Sequence, residues 1–220
     1  MPSVVVERHG GVLEIILNRP EILNAVNRQT IAALADAVDE AAENPAARVV
    51  LLRGAGAYFC AGGDIGMFSE LIRLAPAQRQ TAIYRIVDTL HPLLIRMRHM
   101  PKPAIAVVQG AAAGFGLSLV LAADLALAAA DAVFTSGYIH LGTSPDGGMT
   151  ATLPHIVALK HAADLMLLGD RPAVDRVQDL RPVQDDLEHP LVSLDDNIRH
   201  RVAPCALRSI IGCASAETLP

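Results

Sequence analysis

Residues 4–6 and 12–17 are mostly apolar runs on either side of a His9-Gly10-Gly11 turn, and Pro20 closes the second. This pattern predicts two strands. After Asn27 the period changes. Ile31, Leu34, Ala35, Val38, Ala41 and Ala42 recur at three- and four-residue spacing, one face of a helix that Asn27 can cap and Asn44-Pro45 can end. Residues 48–54 form a short, largely apolar run of the kind expected for a strand buried on both faces. A Gly-rich loop follows to residue 65, then a helical stretch over 77–100 that Pro92 is expected to kink or break. Residues 104–110 predict a buried strand, 117–124 a helix, and 125–129 and 132–136 two further strands. The turn "HLGTSPDGG" (140–148) leads into an apolar, helix-like stretch over 149–168, with Asp146 placed to cap it.

The order strand–strand–helix repeats, which argues for an α/β fold with largely buried sheets. One core domain is expected over 1–170. Beyond it Pro172, Pro182, Pro190 and Pro204 interrupt the chain, no helical face persists, and an irregular tail is expected over 171–220.

Composition narrows the function classes. The 220 residues are 52% hydrophobic, ample for one buried core, and carry a net charge of −5. With no Lys/Arg-rich run, three Tyr, four Phe and no Trp, the chain lacks both the charge and the stacking groups for nucleic-acid binding. No charged residue occurs over 103–123, but Gln109, Gly110, Gly114 and Gly116 break that segment. A strand, a turn and a buried helix account for it better than a membrane span. Cys60, Cys205 and Cys213 are odd in number and form no C-x-x-C pair, so neither a disulfide framework nor a metal site is expected. The first residues lack a basic n-region before an apolar run, and a cytoplasmic location is the expectation.

Two loops rich in small residues, "CAGGDI" (60–65) and "QGAAAGFG" (109–116), each follow a buried strand. Neither fits a phosphate-loop pattern. Unpaired N–H groups at the start of helices can instead cradle developing negative charge, such as an enolate or a tetrahedral oxyanion formed from a thioester.

Five segments in this order and spacing, "NRPEILNAVN" (18–27), "FCAGGDI" (59–65), "PKPAIAVVQGAAAGFGLSL" (101–119), "AADLALAAADAVF" (122–134) and "IHLGTSPDGG" (139–148), resemble the crotonase superfamily, the enoyl-CoA hydratase/isomerase group. The resemblance implies a ClpP-like spiral of ββα repeats, an acyl-CoA thioester ligand, and a homotrimer or dimer of trimers. No separate cofactor is implied, because coenzyme A arrives as part of the substrate. It also implies an oxyanion hole made by the backbone N–H groups of Gly63 and Phe115, with Gly114 beside the substrate. Asn24, Ala25, Val26, Ala61, Asp64 and Ile65 map onto the part that holds the CoA moiety. Family members usually end in amphipathic helices that build the trimer. The tail here resembles no such segment, and an altered reading frame is one expectation for it.

Hydratases of this group use two glutamates, and the corresponding positions here are Ser118 and Tyr138. Neither handles the proton traffic of hydration well at neutral pH. Another subset places its carboxylate in a "(I/L)G-x-x-P-D" segment, where Asp146 falls. The sequence looks most like 1,2-epoxyphenylacetyl-CoA isomerase-like and enoyl-CoA isomerase-like members, in which one carboxylate shifts a double bond. The same position is a nucleophile in the aroyl-CoA dehalogenase branch, whose tryptophan is missing here and for whose histidine only His91 and His140 qualify. An acyl-CoA hydrolase or a non-catalytic acyl-CoA-binding protein are the other readings. Tyr138 is expected to line the acyl pocket, to donate a hydrogen bond, or simply to pack.

Overall fold

The computed structural model describes residues 1–169 and 181–182. The expected tail over 171–220, and with it Cys205 and Cys213, lies outside the described residues apart from 181–182.

The main sheet has the order β1-β2-β3-β4-β6-β8. Its strands are β1 (Val4–His9), β2 (Val12–Leu17), β3 (Val49–Gly54), β4 (Ala104–Val108), β6 (Leu125–Ala128) and β8 (Arg181–Pro182). Among the described residues, only the β1–β2 hairpin of this sheet is antiparallel; the remaining pairs are parallel. β2, β3 and β4 are buried along their whole lengths, which is why they read as near-continuous apolar runs. The polar exceptions, Glu14 and Arg53, form a buried ion pair with each other.

A second layer pairs β5 (Ala111–Ala113) with β7 (Val133–Thr135), again in parallel. Two isolated parallel bridges extend it, Cys60 with Ala112 and Val26 with Gly63. The layer therefore runs Val26, residues 60–63, β5, β7. That is the same order in which β2, β3, β4 and β6 lie in the main sheet. Each repeat contributes one strand to the large sheet and one extended segment to the small layer, then a helix. This is the expected ββα spiral.

The helices are α1 (Arg28–Glu43), α2 (Ile65–Ile72), α3 (Pro76–Arg98), α4 (Phe115–Ala122), α5 (Met149–Val157) and α6 (Leu159–Leu167). Asn27 caps α1 as expected, its side chain accepting from the Thr30 N–H. The face predicted for α1 supplies Ile31, Leu34, Val38 and Ala41 to the core. α4 is buried on every side, so the charge-free segment 103–123 is β4, β5 and α4 packed inside the protein. No helix among the described residues is long and apolar enough to cross a membrane.

Five local expectations are corrected. α3 continues through Pro92 rather than breaking there; Leu90, Leu93, Leu94 and Met97, on either side of it, are buried and hold that half of the helix in place. The loop around residue 60 leads straight into α2, and the loop around residue 110 contains β5. The stretch 149–168 is two helices, separated at Ala158 with φ +66°. Asp146 does not cap α5 with its side chain: the N-cap is Gly148 without a side-chain bond, and Asp146 contributes only its carbonyl, accepting from Met149 N–H at 3.1 Å. Its carboxylate is engaged elsewhere.

Candidate active site

The two small-residue loops lie side by side. Cys60 N–H donates to Ala111 C=O at 3.1 Å, and Ala113 N–H returns a bond to Cys60 C=O at 2.9 Å. Around the other bridge, Val26 N–H donates to Gly62 C=O and Asp64 N–H donates to Val26 C=O, at 2.8 and 2.9 Å. In a parallel pair this pattern uses the groups flanking Gly63 and turns the N–H of Gly63 itself to the opposite side, away from Val26. That N–H donates to no group among the described residues. Phe115 is the first residue of α4, so its N–H has no intrahelical partner, and it too is unpaired among the described residues.

Gly62 brings these groups close. A Cβ on Gly62 would stand 2.9 Å from Ala113 O and 3.5 Å from Phe115 N, and its φ of +96° excludes most side chains in any case. The α4 N-terminus adds partial positive charge at the same place. Unpaired N–H donors of this kind, where two are aimed at one point, can hold an oxygen that gains negative charge. The Phe68 ring, on α2, lies over Gly63: a Cβ there would be 2.6 Å from it.

The residues expected to hold the CoA moiety gather on the same edge. Ala61 N–H donates to Leu23 C=O at 3.0 Å, and the Arg19 guanidinium joins Ala25 C=O at 2.8 Å to the Asp64 carboxylate at 3.0 Å. Asp64 also caps α2 through Gly66 N–H. Asn24 is buried and left-handed at φ +56°, and its side chain is fully engaged with the backbone. It accepts from Arg19 N–H and donates to Ala55 C=O and Tyr58 C=O. Its side chain shapes the loop. Ala25 and Val26 are buried, while Ile65 leaves its apolar side chain in solvent.

Ser118, Tyr138 and Asp146, the three positions weighed for proton transfer, converge. The Tyr138 hydroxyl donates to Asp146 Oδ1 at 2.6 Å, and Ser118 Oγ donates to the Asp146 backbone carbonyl at 3.2 Å. Tyr138 comes from a 3-10 turn (Tyr138–Leu141), Ser118 from α4. The Tyr138 ring reaches the other loop: a Cβ on Gly114 would stand 3.9 Å from Tyr138 Cζ. One hydroxyl thus lies between the carboxylate and the turn that presents Phe115 N–H. Burial raises the Asp146 pKa above the usual carboxylate value, opposed by the Tyr138 hydrogen bond and by the charge of His91. Burial, and then the Asp146 charge, push the Tyr138 phenol up, so it stays a neutral donor.

Gly147 shows how tightly this turn is packed. It has φ +62°, and a Cβ would fall 2.7 Å from Ser118 Cβ and 2.8 Å from Leu94 Cδ1. Leu94 and Phe68 were not singled out from the sequence. Leu94's place on the buried face of α3 was the available signal, and Phe68 had none. His140 stands against Gly169 instead of Asp146. Elsewhere, Glu7, His9 and Glu14 bring three potential ligand atoms within 4.8 Å of one another, but Glu14 is committed to Arg53 and the group reads as an ion-pair network.

The family model for enoyl-CoA hydratase/isomerase matches residues 7–180. YhaR of Bacillus subtilis (strain 168), which carries an enoyl-CoA hydratase/isomerase name, is 37% identical over 202 residues, covering 84% of this chain and 76% of that protein. The 1,2-epoxyphenylacetyl-CoA isomerase of Escherichia coli (strain K12) is 35% identical over 170 residues, covering 77% of this chain and 63% of its own length. The chain thus spans less than two thirds of that isomerase. The crystal structure of an enoyl-CoA hydratase from Polaromonas sp. JS666 superimposes with a TM-score of 0.74 at 37% identity, covering 80% of this chain and 67% of that one. Relatives carry both hydratase and isomerase names. Fold, motifs and matches agree: the chain belongs to the enoyl-CoA hydratase/isomerase family and has the crotonase fold.

Proposed function

We propose that the protein is an acyl-CoA isomerase that shifts a carbon–carbon double bond by proton transfer, with Asp146 as the acid/base. The observation that carries this reading is the state of the three convergent positions. Ser118 and Tyr138 are neutral hydroxyls, and Asp146 is the carboxylate beside them. Hydration needs one group to activate water and another to deliver a proton to carbon. A double-bond shift needs a single group used twice.

In that reaction the Asp146 carboxylate removes an α- or γ-proton from the enoyl thioester. The electron pair moves into the acyl chain and onto the thioester oxygen, giving a dienolate. Gly63 and Phe115 N–H groups hold that oxygen; one such donor is typically worth about 3 kcal/mol of transition-state stabilisation. The Asp146 carboxylic acid then returns the proton to the far carbon, so no co-reactant is consumed. Burial favours this cycle, because a carboxylate with raised pKa is a stronger base.

Asp146→Asn tests the assignment. The variant is expected to lose turnover across a panel of 2-enoyl-, 3-enoyl- and aryl-derived CoA thioesters while keeping their binding by calorimetry. Wild-type turnover in the variant would remove Asp146 from the chemistry. Brisk loss of the 2-enoyl chromophore to hydration, or halide release from a haloaroyl-CoA, would replace isomerisation with another member of the family's chemistry.

A further inference from the structure

The Tyr138–Asp146 contact is asymmetric. Oδ1 accepts the phenolic hydroxyl at 2.6 Å, whereas Oδ2 receives no donor among the described residues. The backbone of Asp146 is held independently, by Ser118 Oγ at its carbonyl and by the packing of Gly147 against Ser118 and Leu94. With one oxygen tied and the backbone fixed, rotation of the carboxylate about its terminal torsion is restricted. We propose that Tyr138 is a positioning residue: its hydroxyl fixes Oδ1 of Asp146, leaving Oδ2 as the oxygen that carries the proton between acyl carbons, and so sets how strong a base the carboxylate is. The inference rests on the isomerase reading above.

Tyr138 does not itself exchange the proton. It is buried and faces a carboxylate, conditions that hold the phenol protonated, so it remains a donor throughout the cycle. The groups that face Asp146 are Tyr138 from the 3-10 turn, Ser118 from α4 and His91 from α3. Ser118 meets the same turn from α4, donating its hydroxyl to the Asp146 backbone carbonyl. A donated hydrogen bond favours the ionised carboxylate, so this contact moderates the effect of burial, which still leaves the base stronger than an exposed aspartate.

Tyr138→Phe keeps the ring and removes only the hydroxyl. The Asp146 carboxyl is followed by 13C NMR in the full chain, its signal assigned by its loss in Asp146→Asn. The midpoint is expected to rise by about one pH unit in Tyr138→Phe, the size typical of losing one such donor. The acid limb of kcat should move up by the same amount, with KM for the thioester close to wild type. In the unmutated protein, the downfield Tyr138 hydroxyl proton should shift as Asp146 titrates, a reading that needs no variant. An unchanged carboxyl midpoint in Tyr138→Phe, or a hydroxyl proton indifferent to that titration, overturns the proposal. So does an increase in KM alone, which would make Tyr138 a substrate contact. Both spectroscopic readings stand without turnover, so they remain informative even if Asp146→Asn retains activity and the isomerase reading falls.

Discussion

Gly147→Ala isolates what holds the Asp146 turn in place, because Gly148 provides a matched control. Both glycines are left-handed, at φ +62° and +75°. A Cβ on Gly148 meets nothing within 4 Å, whereas one on Gly147 would lie 2.7 Å from Ser118 Cβ and 2.8 Å from both Leu94 Cδ1 and Ser118 Oγ. Placing a Cβ in the left-handed region costs about 1–2 kcal/mol, and this applies to both substitutions. Forcing a methyl into a filled space adds about 1–3 kcal/mol, and this applies only to Gly147. The expected losses are therefore about 2–5 kcal/mol for Gly147→Ala and about 1–2 kcal/mol for Gly148→Ala. For a chain of this size the difference corresponds to about 2–12 °C in Tm. Urea unfolding at a constant m-value gives the same comparison in free energy. The clash falls on Ser118, which also holds the Asp146 carbonyl, so turnover should fall further in Gly147→Ala than in Gly148→Ala. Equal destabilisation by the two substitutions would refute the packing argument.

Two other outcomes follow from single residues. Because burial raises the Asp146 pKa in the folded state, its ionisation opposes folding. Its proton-linked contribution is fully present below about pH 3.8, the reference value, and is lost as pH rises through the folded pKa. The Tm difference, Asp146→Asn minus wild type, should therefore be larger at pH 7 than at pH 4, and a difference independent of pH would contradict the shift. Asn24→Ala should cost about 2–5 kcal/mol in urea unfolding, because it strands Ala55 C=O, Tyr58 C=O and Arg19 N–H and puts a Cβ-bearing residue with no local hydrogen bond at φ +56°; a loss below about 1 kcal/mol would assign the side chain a different role.

Much of this architecture is legible in the sequence, for reasons that differ by element. β2, β3 and β4 are buried on both faces and announce themselves as apolar runs, and α1 declares itself by period and by its Asn27 cap. β5 does not, because three alanines have little strand preference and become a strand only by pairing with β7. α2 is short and hidden behind Gly62, Gly63 and Gly66. The break at Ala158 carries no glycine or proline of its own to mark it.

At the candidate site the split is similar. The linear motifs point to Gly63, Phe115 and Asp146, since each lies in a short signature. They do not show that Gly63 N–H faces away from Val26, which depends on a bridge between segments 37 residues apart. Nor do they show the partner of Asp146. Locally, an aspartate just before a helix reads as a cap, and its carbonyl does join the first turn. The side chain is drawn away by Tyr138, which sits in a 3-10 turn flanked by two left-handed glycines, Gly137 and Gly142.

The central claim is that Asp146 moves a proton on and off an acyl chain whose thioester oxygen is held by two backbone N–H groups. Incubating the protein with enoyl-CoA thioesters in D2O and reading deuterium at the α- and γ-carbons by mass spectrometry measures this step even where no net isomerisation accumulates. Wild-type protein is expected to incorporate deuterium at those carbons, and Asp146→Asn to incorporate none above the uncatalysed rate. Equal incorporation by the two proteins would contradict the account.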